Sequence, residues 1–169
     1  MYETPFSIEL SKFSDDRGEF TRLFCQETLY RQFDIEIKQV NCSVTSFKGT
    51  VRGMHYQRSP FEEVKFVTCT RGEIQDACID MREGSSDFGK IFYCNLKQSD
   101  SRVFVVPKGF AHGFQTLSDD TEVIYSNTAT YAKEYELNVS PLSPEIKWPL
   151  KVINLSQKDA SSPLLSSFL

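Results

Sequence analysis

A chain of 169 residues with 40% hydrophobic and 13% aromatic side chains has material for one sizeable core, which excludes a disordered polypeptide and leaves little room for two domains. A formal net charge of −4 argues against a general nucleic-acid or membrane-surface binder, although a pocket for a small anion needs only a few local cations. No apolar run approaches the ~20 residues of a membrane span. Met1-Tyr2-Glu3-Thr4-Pro5 also lacks the basic start and apolar stretch of a signal peptide, so the expectation is one cytoplasmic domain, residues 1–169.

In chain order, Glu27 to Phe33 is the only early stretch with a helical look. The histidine-bearing segments Arg52 to Gln57 and Pro107 to Phe114 read as strands or strand ends, each with a glycine close to its histidine. Val64 to Thr70 is β-branched and alternating, and stops at Arg71-Gly72. Glu73 to Met81 alternates again before the turn residues Gly84-Ser85-Ser86-Asp87. Lys90 to Leu96, Arg102 to Val106 and Thr121 to Thr130 follow as further strands. Short strands with turns every ~8–12 residues predict an all-β sandwich or barrel. Pro141, Pro144 and Pro149 mark an irregular segment that Trp148 is placed to pin by burial. Ser156 to Leu165 holds room for a turn of helix, and the tail Ser161 to Ser167 is polar apart from its leucines, with its end expected to fray.

The five cysteines are scattered without a C-x-x-C pair, so neither a zinc site nor a redox motif is indicated; they read as small hydrophobes. His55 and His112 are the only histidines. Histidine is the side chain best suited to move a proton near neutral pH. With Arg52 and Lys65 close in sequence, the pair suggests proton transfer on an anionic substrate.

Several segments together carry a more specific pattern: D-D-R-G-E-F-T-R-L-F (15–24), Q-V-N (39–41) and K-G-T-V-R-G-M-H-Y-Q (48–57). Then come K-F-V-T-C-T-R-G-E-I (65–74), F-V-V-P-K-G-F-A-H-G-F (104–114), E-V-I-Y (122–125) and S-Q-K-D-A-S-S-P-L-L (156–165). In this order and spacing the chain resembles the dTDP-4-dehydrorhamnose 3,5-epimerase family, from about residue 13 to 165. The resemblance implies a cupin-like jelly roll with short helical segments near the termini, and no cofactor or metal. It also implies a homodimer in which one subunit's N-terminal strand completes its partner's site.

The reaction so implied is inversion at C3, C5 or both of a nucleotide-linked 4-keto-6-deoxy sugar through an enolate. It needs a base, an acid on the opposite face, and a donor or cation at the C4 oxygen. The resemblance assigns the base to His55 and the carboxylate that orients it to Asp159, 104 residues downstream. Lys65 with His112 is assigned to the enolate oxygen, and Tyr125 is the acid. Arg17 and Arg52 match diphosphate-binding arginines, whose planar forks suit phosphate oxygens. Gln39 and Asn41 match polar groups near the sugar and nucleotide, Phe20 and Tyr131 match aromatics near the base, and Glu136 and Lys158 match further ligand contacts. A dTDP-sugar is the substrate most strongly implied, with CDP or GDP as alternatives.

Two departures bear on specificity. Arg22 stands where many family members carry Glu, inverting a charge on the nucleotide side; the stretch 138–145 lacks the family's R-W-N-D-P run. Other readings of the fold are a 3,4-ketoisomerase, a metal-dependent cupin and a non-catalytic sugar-nucleotide binder. Two histidines 57 residues apart without H-x-H weigh against the metal-dependent reading.

Overall fold

The computed structural model describes residues 3–27 and 33–169. The helix expected over 27–33 lies, but for its two end residues, outside the described residues. Twelve strands are described: β1 (Phe6–Glu9), β2 (Lys12–Asp15), β3 (Gly18–Thr21), β4 (Gln39–Thr45), β5 (Val51–Gln57) and β6 (Lys65–Arg71). They continue as β7 (Glu73–Asp80), β8 (Ile91–Lys97), β9 (Arg102–Val106), β10 (Phe110–Thr116), β11 (Thr121–Asn127) and β12 (Glu136–Asn138). One five-stranded sheet has the order β1-β9-β6-β11-β4 and the other β12-β5-β10-β7-β8, all pairs antiparallel.

Alternation along each strand explains why two sheets form and face each other. Val67, Cys69, Phe104, Val106 and Val123 from the first sheet meet Ile74, Cys78, Leu96, Phe110 and Phe114 from the second in one buried cluster. Side chains of opposite parity on the second sheet, including Met54, Ala77, Ile79 and Ala111, point away from that cluster. They are covered by Val139, Ile146 and Leu165, with Trp148 and Phe168 packed alongside. Residues of opposite parity on β6 and β9, among them Phe66, Val103 and Val105, form a third cluster with Phe6 and Ile8 of β1. This is the jelly-roll sandwich that strand spacing and resemblance anticipate.

The C-terminal segment is better anchored than its composition suggests. Trp148 donates its indole N–H to the Pro141 carbonyl at 2.9 Å, the Leu165 amide reaches Ser143 Oγ at 2.9 Å, and Leu165 is fully buried. The expected frayed tail is instead docked as far as Phe168, because its leucine and phenylalanine cover the outer face of a sheet. Helix α1 (Gln157–Ala160) is capped by Ser156, whose hydroxyl accepts from the Asp159 amide at 3.0 Å.

Strands β2 and β3 form a hairpin that shares no backbone ladder with either large sheet. Sequence reading overlooked β1 to β4 and β12. The three- and four-residue β1 to β3 and β12 are too short for a period to stand out, even in β1, where Phe6 and Ile8 alternate with Ser7 and Glu9. In β4 the outward residues Val40 and Val44 are as apolar as a core face, so the pattern is blurred.

Candidate active site

The site depends on an irregularity between β5 and β10. His112 pairs with His55, and Phe114 with Arg52, so three steps along β5 span two along β10. A bulge of this kind lets Arg52 and His55, three apart, both face the inter-sheet space, whereas strict alternation would send them to opposite faces. Two glycines permit the approach. A Cβ on Gly53, which has φ +118°, would sit 2.6 Å from both Gly113 Cα and the His112 carbonyl oxygen. A Cβ on Gly113 would meet the Arg52 carbonyl oxygen at 2.6 Å and Met54 Sδ at 2.7 Å. Thus the glycine near each histidine is a condition of the strand contact that positions them.

The pocket beside His55, about 330 Å³, takes its walls from both sheets. His55 and Gln57 come from β5 and Glu136 from β12; Gln39, Asn41, Lys65, Tyr125 and Asn127 come from the facing strands β4, β6 and β11. His55 Nε2 lies 2.7 Å from Asp159 Oδ1, so the dyad 104 residues apart in sequence is assembled by docking α1 under β5. Burial opposes the Asp159 charge, but the hydrogen bond and charge of His55, with help from Ser156 and the Gly53 amide, hold its pKa below the ordinary value. An ionised Asp159 places the imidazole proton on Nε2 and leaves the lone pair on Nδ1.

Tyr125 projects from β11, on the other sheet, into the same pocket. Burial pushes its phenol pKa up, against the pull of the Arg52 charge, so it keeps its proton at neutral pH. Lys65, almost fully buried, donates from Nζ to the His55 carbonyl oxygen at 2.9 Å and pairs with Glu63 Oε1 at 3.2 Å. Gln39 donates to Asn41 Oδ1 at 2.9 Å and accepts the Tyr131 amide at 3.0 Å; the exposed Tyr131 donates its hydroxyl to Glu136 Oε2 at 2.9 Å. Lys158 Nζ meets the same Glu136 oxygen at 2.6 Å. Arg52 lines an adjoining depression with Asp159, donating to Thr45 Oγ1 at 2.9 Å and to the Val44 carbonyl at 3.3 Å.

Seven of the expected residues do not line this wall: Asp159 and Arg52 border the adjoining depression, Lys158 meets the wall through Glu136, and four more lie outside both. His112 is buried outside it, with Nε2 2.9 Å from Asp76 Oδ2. Arg17 and Phe20 sit on the β2–β3 hairpin, exposed, with Arg17 paired to Asp15 and Phe20 packed on Phe13 at 6.3 Å between ring centroids. Arg22 is exposed just past β3. The sequence reading missed Asp76, Glu63, Gln57 and Asn127. Asp76 left a legible mark, since it shares the inward parity of Ile74 and Cys78 on β7, and a carboxylate at a core position implies a partner. Burial pushes its pKa up, while the charges of His112 and Lys65 pull it back.

The free cysteines divide as expected for small hydrophobes at Cys69 and Cys78, both buried, whereas Cys42 is exposed on the outer face of β4. Burial raises the Cys69 pKa to about 11, which keeps it a thiol. Among the described residues, no group of three or more His, Cys, Asp and Glu side chains is placed to hold a metal ion, and no helix is long and apolar enough to cross a membrane.

Comparison with known proteins bears on this arrangement. The family model for dTDP-4-dehydrorhamnose 3,5-epimerase matches residues 3–167. The enzyme of that name from Sinorhizobium fredii is 40% identical over 162 residues, covering 94% of this chain and 83% of its own. A solved Legionella pneumophila dTDP-6-deoxy-D-glucose-3,5-epimerase, in complex with dTDP-4-keto-L-rhamnose, superposes with TM-score 0.89 at 36% identity, covering 96% of this chain and 88% of its own. The 3'-monoepimerase ChmJ from Streptomyces bikiniensis, in complex with dTDP-quinovose, gives TM-score 0.89 at 31% identity, covering 97% and 85%. A dyad and a phenol converging on one pocket from two sheets, on a chain matched almost end to end, make this chain a member of the dTDP-4-dehydrorhamnose 3,5-epimerase family and an isomerase.

Proposed function

We propose that this single-domain protein inverts C3, C5 or both of a nucleotide-linked 4-keto-6-deoxy sugar, with His55 as base and Tyr125 as acid. The observation that carries this reading is their placement: the His55–Asp159 pair and the Tyr125 hydroxyl come from opposite sheets to one pocket. A proton on the carbon next to the C4 ketone is acidic because the electrons left behind spread onto the C4 oxygen. His55 Nδ1 takes that proton and the C–H pair moves into the enolate. Asp159 then stabilises the imidazolium. Lys65 supplies positive charge at the enolate oxygen, supported by the His112–Asp76 pair next to it. Tyr125 returns a proton from the opposite face, which inverts the carbon. The proton taken and the proton given balance, so the reaction itself needs no oxidant or reductant.

The nucleotide half follows from charge and shape. Arg52 binds the diphosphate once its bonds to Thr45 and Val44 are exchanged for phosphate oxygens. Tyr131 presents an exposed ring to a base, with Gln39, Asn41 and Glu136 around the ligand and Lys158 reaching it beside Glu136. The likeness to proteins solved with dTDP-sugars favours a dTDP-sugar over a CDP- or GDP-sugar.

A second copy of the chain completes the pocket in this reading. The β2–β3 hairpin pairs with neither sheet and exposes Arg17, Phe13 and Phe20, while β4 is an edge strand whose outward Val40 and Val44 are exposed. An exchange of hairpins between two cytoplasmic subunits covers that edge and carries Arg17 and Phe20 to the partner's nucleotide site. The test is incubation in D₂O with a panel of dTDP-, CDP- and GDP-linked 4-keto-6-deoxy sugars, followed by NMR. Deuterium at C3 or C5 with inversion supports the reading. No exchange with any member of the panel contradicts it.

A further inference from the structure

Glu136 takes no part in the proton steps above, yet its Oε1 lies 4.0 Å from His55 Nδ1. Asp159 holds the other ring nitrogen at 2.7 Å, so carboxylates from β12 and α1 flank opposite sides of one imidazole. The 4.0 Å separation is too long for a hydrogen bond and leaves the Nδ1 lone pair open, but it is close enough for Coulomb attraction. Glu136 is also held in place. Both of its firm partners, the Tyr131 hydroxyl at 2.9 Å and Lys158 Nζ at 2.6 Å, bind Oε2, which leaves Oε1 aimed at the base. Its side chain is only 11% exposed, and β12 lies on β5 with Asn138 opposite His55 and Glu136 opposite Gln57.

We propose that Glu136 is a positioning residue that sets the basicity of His55, with Lys158 tempering its charge. The inference rests on the reading of His55 as the base. An anion beside Nδ1 favours the imidazolium and makes the ring a stronger base, whereas the ammonium of Lys158 on the same carboxylate moderates that field. Burial resists the Glu136 charge, but the bonds from Lys158 and Tyr131 and the charge of His55 outweigh it and hold its pKa below the ordinary value, so Glu136 is an anion beside the ring.

The other charged or titratable groups around His55 are accounted for. Asp159 is engaged on Nε2, and Lys65 on β6 bonds the His55 carbonyl and is balanced by Glu63. His112 lies opposite on β10 but is tied to Asp76, and Tyr125 on β11 is a neutral phenol whose pKa burial pushes up. Tyr56, the next residue along β5, packs on the outer face, where burial raises its pKa. Glu136 is thus the anion on the Nδ1 side of the ring.

The test is a side-chain NMR titration of the resting protein without substrate. The chain has two histidines, so each signal is assigned by its loss from a His→Asn variant. Glu136→Gln lowers the His55 pKa by ~1 unit, and Lys158→Met, which leaves the carboxylate untempered, moves it up. His112 serves as the internal control, staying within ~0.2 unit in both variants if the fold is intact. An unmoved His55 in Glu136→Gln, or shifts of the same sign in both variants, overturns the proposal. The two readings fail separately: a protein that exchanges no sugar protons but shows these opposite shifts loses only the epimerase assignment. One that exchanges normally with an unmoved titration loses only the role of Glu136.

Discussion

The chain spends its two histidines on two carboxylate pairs that differ in nearly every physical respect. His55 is 33% exposed on a pocket wall, and its partner Asp159 arrives from the far end of the chain. His112 is 8% exposed outside that wall, and its partner Asp76, from the next strand, is wholly buried. The carboxylate pKa values move in opposite directions, down at Asp159 and up at Asp76. An open imidazole with an ionised partner can exchange protons with a ligand. A closed one, with a costly buried charge behind it, is suited to fixing charge next to Lys65. The same pair of residue types therefore does two jobs, and access to the pocket separates them.

The comparison breaks most sharply at the base. His55→Ala should lower turnover by ~10³-fold or more, within the usual range for removing a general base, while His112→Ala should leave measurable activity. Equal losses in steady-state assays would erase the distinction between the pairs. Asp159→Asn should cost ~10²–10⁴-fold in kcat with KM little changed, because it disturbs the tautomer and the imidazolium rather than binding. On the nucleotide side, Arg17→Ala should weaken nucleotide binding by ~10–100-fold, as loss of a charge-assisted bond worth ~1.5–3 kcal/mol predicts. Calorimetry and sedimentation read this together. A monomer with full activity would remove the cross-subunit part of the account, and Arg22→Glu should alter the ratio of affinities for thymidine, cytidine and guanosine diphosphates.

The smallest effect is on stability. Asp159, with its pKa depressed by folding, contributes stability that is present above the unfolded carboxylate value of ~3.9 and is lost as pH falls through the folded one. Asp76, with its pKa raised, does the reverse: its contribution is full below the unfolded value and is lost as pH rises through the folded one. Urea midpoints between pH 7 and 3 should show the wild-type advantage over Asp159→Asn shrinking on acidification. The advantage over Asp76→Asn should grow. Slopes of the same sign would contradict the assigned directions.

Sequence carried much of this and failed for identifiable reasons. Arg102 to Val106 was legible to the residue as β9 because a short, β-branched and aromatic apolar run marks a strand buried on both faces. The pairing of His55 with Asp159 was available only through family resemblance, since nothing local ties a strand to a capped helix 104 residues later. The common facing of Arg52 and His55 was hidden because a bulge violates the two-residue period. The Glu136 contact with the base was hidden too, because β12 is three residues long and its burial pattern does not alternate.

A base on one sheet and an acid on the other are separable, and removing the acid while keeping the base shows whether each acts alone on its face. Tyr125→Phe keeps the ring, so the fold should survive, and the protein is incubated with its 4-keto sugar in D₂O and followed by NMR. The account predicts that deuterium still enters at C3 or C5 while inverted product falls by ~10²-fold or more, and that His55→Ala shows neither. Full inversion by Tyr125→Phe, or wild-type exchange by His55→Ala, would contradict it.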